Sequence, residues 1–128
     1  MTDQPKLILL VDDEEDLLAT YKTKLERSGF RVITASDGEE AIAVAAKEHP
    51  DLILMDVKMP KMDGVTAQQE LMKNPETRDL KVVFLTAFGD PAKPEVDIAF
   101  AKETGALDFI KKGISLDDME KKVRGYLG

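Results

Sequence analysis

Apolar residues gather in three short unbroken runs, Leu7–Val11 (LILLV), Leu52–Met55 (LILM) and Val82–Leu85 (VVFL). Each is too short for a helix and is bounded by polar residues, the pattern of a strand covered on both faces. Two further segments, Arg31–Ala35 (RVITA) and Leu107–Lys111 (LDFIK), mix polar with apolar positions, as strands at the margin of a sheet do. Between the strands the period becomes helical. Leu18, Tyr21 and Leu25 fall at i, i+3 and i+7, and Leu116, Met119, Val123 and Tyr126 repeat the spacing near the end. Ala41–Ala46 predicts a second helix of small residues, Val65–Met72 a third, and Val96, Ala99 and Phe100, behind Pro94, a fourth. Gly29 reads as the residue just beyond the first helix. Ser36 or Asp37 precedes Glu39 or Glu40 at capping distance, and Ser115 precedes Asp118 likewise.

Strand and helix thus alternate five times. Parallel neighbours need long right-handed crossovers, so the pattern predicts an α/β fold, a doubly wound five-stranded parallel sheet between two helical layers. With the apolar strands central and the mixed ones at the edges, the order 2-1-3-4-5 satisfies the composition.

The chain has 128 residues, 43% of them apolar, which suits one domain with one ordinary core. Asp and Glu number 25 against 18 Lys and Arg, a net charge of −7, and a surface of that sign repels phosphate backbones. Direct nucleic-acid binding is therefore not expected. Without cysteine there is no disulfide, thiolate metal site or thiol nucleophile, and one histidine cannot build a multi-histidine site. Any metal must be a hard cation on oxygen ligands. The opening MTDQPKLILLVDDEE is neither a secretion signal nor a membrane span, so a cytoplasmic location without membrane insertion is expected.

In an open sheet of this order ligands bind beyond the carboxyl ends of the strands, where the winding reverses between strands 1 and 3. Strand 1 runs into Asp12-Asp13 and strand 3 into Asp56. Taken alone, Asp12 to Asp16 reads as a solvated acidic helix start, and Asp56 as a turn residue before Pro60 and Gly64. Together they crowd carboxylates into one crevice, which a divalent cation such as magnesium would relieve. Thr86 after strand 4 and Lys111-Lys112 after strand 5 add a hydroxyl and an ammonium to the same edge, groups suited to phosphoryl oxygens. No glycine-rich phosphate loop follows strand 1, and no G-x-S-x-G occurs. His49 reads as a helix-end residue.

These segments resemble the receiver domain of bacterial two-component response regulators, in particular its stand-alone CheY-like members. The likeness rests on LLVDDE, PDLILMDVKMPKMDG, LTA and GALDFIKK, in that order along the whole chain. It implies the flavodoxin-like three-layer sandwich and a phosphoprotein in which Asp56 accepts a phosphoryl group from a histidine kinase or histidine phosphotransfer protein. It further implies that Mg2+ is held by Asp13 directly, by Asp12 through water, by Asp56 and by the backbone carbonyl of Lys58. Thr86 and Lys112 would engage the phosphoryl group. Phe109 would change rotamer with Thr86, remodelling the surface formed by the fourth helix, strand 5 and the last helix for a downstream protein.

The sequence departs from the family pattern in three places. Gly113 follows Lys112 where a proline is usual, which leaves Lys111 as an alternative to Lys112; alignment on Gly105-Ala106 and Phe109 favours Lys112. Residues 88–94 form a longer connection before the fourth helix. Lys58 and Phe88 occupy the variable positions two beyond Asp56 and Thr86. The whole of 1–128 is read as one receiver domain without an output domain, a monomer or a phosphorylation-dependent dimer, and a switch instead of a turnover enzyme. The alternatives are a phosphorelay intermediate, a pseudo-receiver that is never phosphorylated, and a haloacid-dehalogenase-like phosphohydrolase, which wants an aspartate where Lys58 stands.

Overall fold

The three apolar runs become the interior of one sheet. In the computed structural model, which describes residues 4–86 and 103–128, β1 (Leu7–Val11), β3 (Leu52–Asp56) and β4 (Val82–Thr86) are the inner strands. The edges are β2 (Arg31–Ala35) and β5 (Asp108–Lys111), and all neighbours are parallel in the order β2-β1-β3-β4-β5. Every residue of β1 and β3 is buried, whereas β2 and β5 carry exposed positions, as their mixed sequences predict. The α/β class and the strand order are therefore as expected. β3 and β4 each run one residue further than their apolar runs, to Asp56 and Thr86, and β5 begins at Asp108, one residue later than expected, with the Leu107 amide donating to the Val82 carbonyl at 2.7 Å just before it.

Successive strand residues point to opposite faces, which divides the core in two. On one face Ile8, Leu10, Leu54 and Leu85 pack with Tyr21 and Leu25 of α1 (Glu15–Arg27) and with Met119 and Val123 of the C-terminal helix (Leu116–Leu127). On the other, Leu9, Ile53, Met55 and Phe84 meet Ala41 and Ala45 of α2 (Gly38–Glu48) and Ala67 and Leu71 of α3 (Gly64–Lys73). The fourth predicted helix, Phe88 and the 88–94 connection lie outside the described residues.

Local chemistry sets the helix ends. Gly29 sits one residue beyond the Ser28 cap of α1 with φ +98°, a left-handed conformation. Asp37 caps α2, accepting from the Glu40 amide at 2.9 Å, while the Glu40 carboxylate reaches back to the Ser36 amide and hydroxyl. Ser115 caps the C-terminal helix, its hydroxyl accepting from the Asp118 amide at 3.1 Å. Ion pairs tie that helix to α1. Arg124 lies over the Phe30 ring and donates to Glu120 and the Ser28 carbonyl. Bonds from Arg124 and Ser28 hold the half-buried Glu120 carboxyl down at about 2.

The loop from β3 to α3 is clamped by backbone contact. Asp63 caps α3, accepting from the Thr66 amide at 2.7 Å. The Gly64 amide donates to the Val57 carbonyl at 2.8 Å, and the Gly38 amide donates to the Met62 carbonyl at 3.1 Å. A Cβ on Gly64 would collide with the carbonyl oxygen of Asp56, which has no side-chain freedom with which to move aside. Gly125, in the C-terminal helix, has no neighbour within 4 Å of the same position. Gly64→Ala is expected to lower stability by about 3 kcal/mol through overpacking, and Gly125→Ala to raise it by about 0.5–1 kcal/mol through helix propensity. Urea unfolding of the two variants beside the parent chain checks both signs.

Candidate functional site

Val11 pairs with Met55, so the residues that follow each, Asp12 and Asp56, emerge side by side at the carboxyl edge of the sheet. The Asp12 amide donates to the Ala35 carbonyl at 3.1 Å, and its Oδ1 accepts from the Glu14 amide at 2.9 Å, turning the chain into α1. Asp12 is fully buried and Asp56 is 5% exposed, while Asp13 faces solvent. One carboxylate oxygen from each of Asp12, Asp13 and Asp56 lies within 4.8 Å of the other two.

The opposing charge comes from Lys112, one residue past β5. Its Nζ lies 2.8 Å from Asp12 Oδ2, 3.0 Å from Glu14 Oε1 and 3.2 Å from Asp56 Oδ2. The contact with Glu14 is a hydrogen bond; that with Asp12 is an ion pair without hydrogen-bond alignment. Lys112 also donates its amide to the Thr86 carbonyl at 2.7 Å, which fixes the end of β5 beside the end of β4. Lys111, paired with Thr86 in the sheet register, is exposed. The structure therefore brings Lys112, not Lys111, to the carboxylates. Gly113 has φ +92°, a conformation closed to proline, which accounts for glycine in place of the usual residue there.

The remaining predicted residues lie around this cluster. Thr86 ends β4 on the same edge and is partly buried. Phe109, opposite Phe84 in the register, is half-buried against the core on the α2–α3 side. Lys58 is exposed in the loop two residues after Asp56. Two contributors carry no local signal in the sequence. Glu14 reads there as part of an acidic helix start, yet it binds Lys112 across 98 positions of chain. Asp51 accepts from the Leu7 amide at 2.8 Å and so fastens the start of β1 to the residue before β3.

The electrostatics follow from the packing. Burial raises the Asp56 carboxyl to about 6, the Asp12 charge adds to the rise, and Lys112 opposes it. For Lys112, burial pulls downward, but the neighbouring charges of Asp12, Glu14 and Asp56, with the hydrogen bond to Glu14, outweigh it and raise its proton affinity. Asp12, Asp56 and Glu14 thus share one ammonium, and Asp13 adds a further carboxylate to the cluster. Asp12 Oδ2 is buried and accepts no hydrogen bond. An all-oxygen cluster with excess negative charge, whose buried Asp12 Oδ2 is met only by an ammonium shared with two other acids, fits a hard divalent cation.

Comparison with known proteins agrees with this geometry. The family model for the response regulator receiver domain matches residues 8–124. The probable transcriptional regulator ycf27 of Cyanophora paradoxa is 41% identical over 122 residues, covering 95% of this chain and 48% of that protein. The alkaline phosphatase synthesis transcriptional regulatory protein PhoP of Bacillus subtilis is 40% identical over 122 residues, with the same shares covered. The chain spans about half the length of these curated relatives. Among solved structures, the chemotaxis response regulator CheY4 of Vibrio cholerae superposes with a TM-score of 0.85 at 27% identity, covering 96% of this chain and 99% of that one. The receiver domain of a Pseudomonas aeruginosa sensor histidine kinase, with a magnesium ion coordinated in its active-site cleft, gives 0.85 at 26% identity, covering 98% and 99%. With an acidic triad at the winding reversal, a lysine bound to it and a family match along nearly its whole length, the chain belongs to the response regulator receiver domains of two-component signalling.

Proposed function

We propose that this chain is a phosphorylation-operated switch that takes a phosphoryl group on Asp56. The observation that carries the reading is a buried carboxylate at a strand end, 3.2 Å from a lysine ammonium and within reach of two further acids. An oxygen of Asp56 attacks the phosphorus of a phosphohistidine on a histidine kinase or phosphotransfer protein; the new O–P bond forms as the P–N bond breaks, and the imidazole leaves with the N–P electron pair. Asp13 and Asp56, with Asp12 and the Lys58 carbonyl, would hold Mg2+. That ion supplies charge neutralisation to the carboxylates and to the entering phosphoryl oxygens. Lys112 adds a point charge, and Thr86 a hydroxyl, to the same oxygens.

The acquired group carries about two negative charges, which Lys112 and Thr86 engage as it arrives and hold once it is attached to Asp56. Phe109, on β5 beside them, then repositions, and the face that includes β5 and the C-terminal helix changes its binding partner. The chain works by altered affinity for a downstream protein and not by turnover, and Lys58 stands where a phosphohydrolase of the dehalogenase type wants a general acid. The relatives twice its length are described as transcriptional regulators. Its own net charge of −7 disfavours direct DNA contact, so a DNA-binding partner or attached segment would supply it. Among the described residues no helix is long and apolar enough to cross a membrane.

Acetyl phosphate with Mg2+ is expected to add one base-labile phosphoryl group to the parent chain and none to Asp56→Asn. Intact-mass measurement before and after alkaline treatment decides the matter: an unchanged parent mass, or an equal gain in the variant, refutes the assignment.

The raised Asp56 carboxyl has a calculable sign. An acid whose folded value lies near 6, against an ordinary 3.8, is costly to ionise in the fold. That cost is absent below the lower value and complete above the higher, so metal-free stability falls as pH rises between them. Asp56→Asn removes the cost and is expected to stabilise the metal-free chain by about 1–2 kcal/mol at pH 7.5, an advantage that vanishes near pH 3.5. For the parent chain, Mg2+ affinity is expected to weaken as pH falls through 6, because proton and ion compete for one carboxylate. Urea unfolding across the pH range and calorimetric titration read the two effects.

A further inference from the structure

Glu14 occupies the N-cap position of α1, yet its side chain makes no capping hydrogen bond. The short side chains of Ser, Thr, Asp or Asn ordinarily accept a bond from the first turn there, whereas the longer Glu14 side chain is left free to reach elsewhere. Its carboxylate instead crosses the mouth of the site to Lys112, at 3.0 Å. The Glu14 amide, bonded to Asp12 Oδ1, anchors the residue in that position. The Glu14 side chain is 60% exposed and that of Lys112 only 9%, so Glu14 is the outer of the three carboxylates on the ammonium.

We propose that Glu14 is a positioning residue that latches Lys112 in the resting chain and slows phosphoryl acceptance, because Lys112 must leave it to reach the group arriving on Asp56. The inference rests on Asp56 being the acceptor. Asp12 and Asp56, the inner partners of Lys112, are the residues that a bound divalent cation would share. Glu14 lies outside the metal-competent triad, so an ion bound there would leave its contact with the lysine in place. The choice left to Lys112 is between Glu14 and the phosphoryl oxygens. Gly113 immediately follows, with no atom within 4 Å of its Cβ position, so the backbone beside Lys112 has space in which to adjust.

Two substitutions separate contact from charge. Glu14→Gln keeps the length and removes the charge; Glu14→Asp keeps the charge and shortens the reach by one methylene. With Mg2+ and acetyl phosphate both saturating, the latch predicts about threefold faster phosphorylation of both variants, the scale of one partly exposed ion pair. In the metal-free chain the side-chain 15N resonance of Lys112 is expected to shift in both. Acceleration of Glu14→Gln alone, erased by salt, would show a rim charge repelling the donor and overturn the latch. Equal rates in all three chains would overturn it while leaving the Asp56 assignment standing. An unmoved Lys112 signal likewise overturns the latch alone, and a parent chain that takes no phosphoryl group overturns both.

Discussion

The repulsion among acids at the ends of two neighbouring strands is the constraint on which this site turns. β1 and β3 are the most completely buried elements of the fold, and their polar continuations, Asp12 and Asp56, are delivered to one place by the sheet register. Carboxylates so close do not coexist as anions without a counter-charge. Lys112, brought from the far edge of the sheet, supplies one positive charge against several negative ones. The deficit that remains is what makes the cluster receptive to a hard cation and, through it, to a phosphoryl group.

The rest of the molecule holds that unfavourable arrangement in place. Two apolar layers bury the sheet on both faces, and the burial of Asp56 is a consequence of the strand that carries it. The start of β1 is fastened to Asp51, the end of β5 to Thr86, and the loop after Asp56 to Gly38 and Gly64. Hydrophobic packing on this scale exceeds the local cost of crowded charge, which is how a fold can keep a strained electrostatic centre at its rim.

Much of this is legible in the chain. The apolar runs specify the inner strands and the mixed runs the edges, because a strand covered on both faces cannot carry polar residues in mid-course. Asp12 and Asp56 are placed by the same logic, at the first polar position after each run. Lys112 is harder: Lys111 and Lys112 are adjacent on a strand end, and only the course of the chain through Gly113 decides which of them turns inward. Glu14 is invisible beforehand, since its partner lies 98 positions away and its own neighbourhood looks like an ordinary acidic helix start. Asp51 is hidden for the same reason. Short-range periodicity encodes which face a residue joins, whereas side-chain pairs between distant loops emerge only once the sheet has closed.

The contact between Gly64 and the carbonyl of Asp56 carries a mechanical corollary. Main chain rests on main chain there, so the acceptor is braced from the α3 flank and has no slack in that direction. Its carboxylate meets instead a long-stemmed ammonium whose neighbouring glycine is unencumbered. Stiffness around Asp56 is therefore unequal: the main-chain contact gives no ground, whereas the side-chain contact beside an open glycine can follow a displacement.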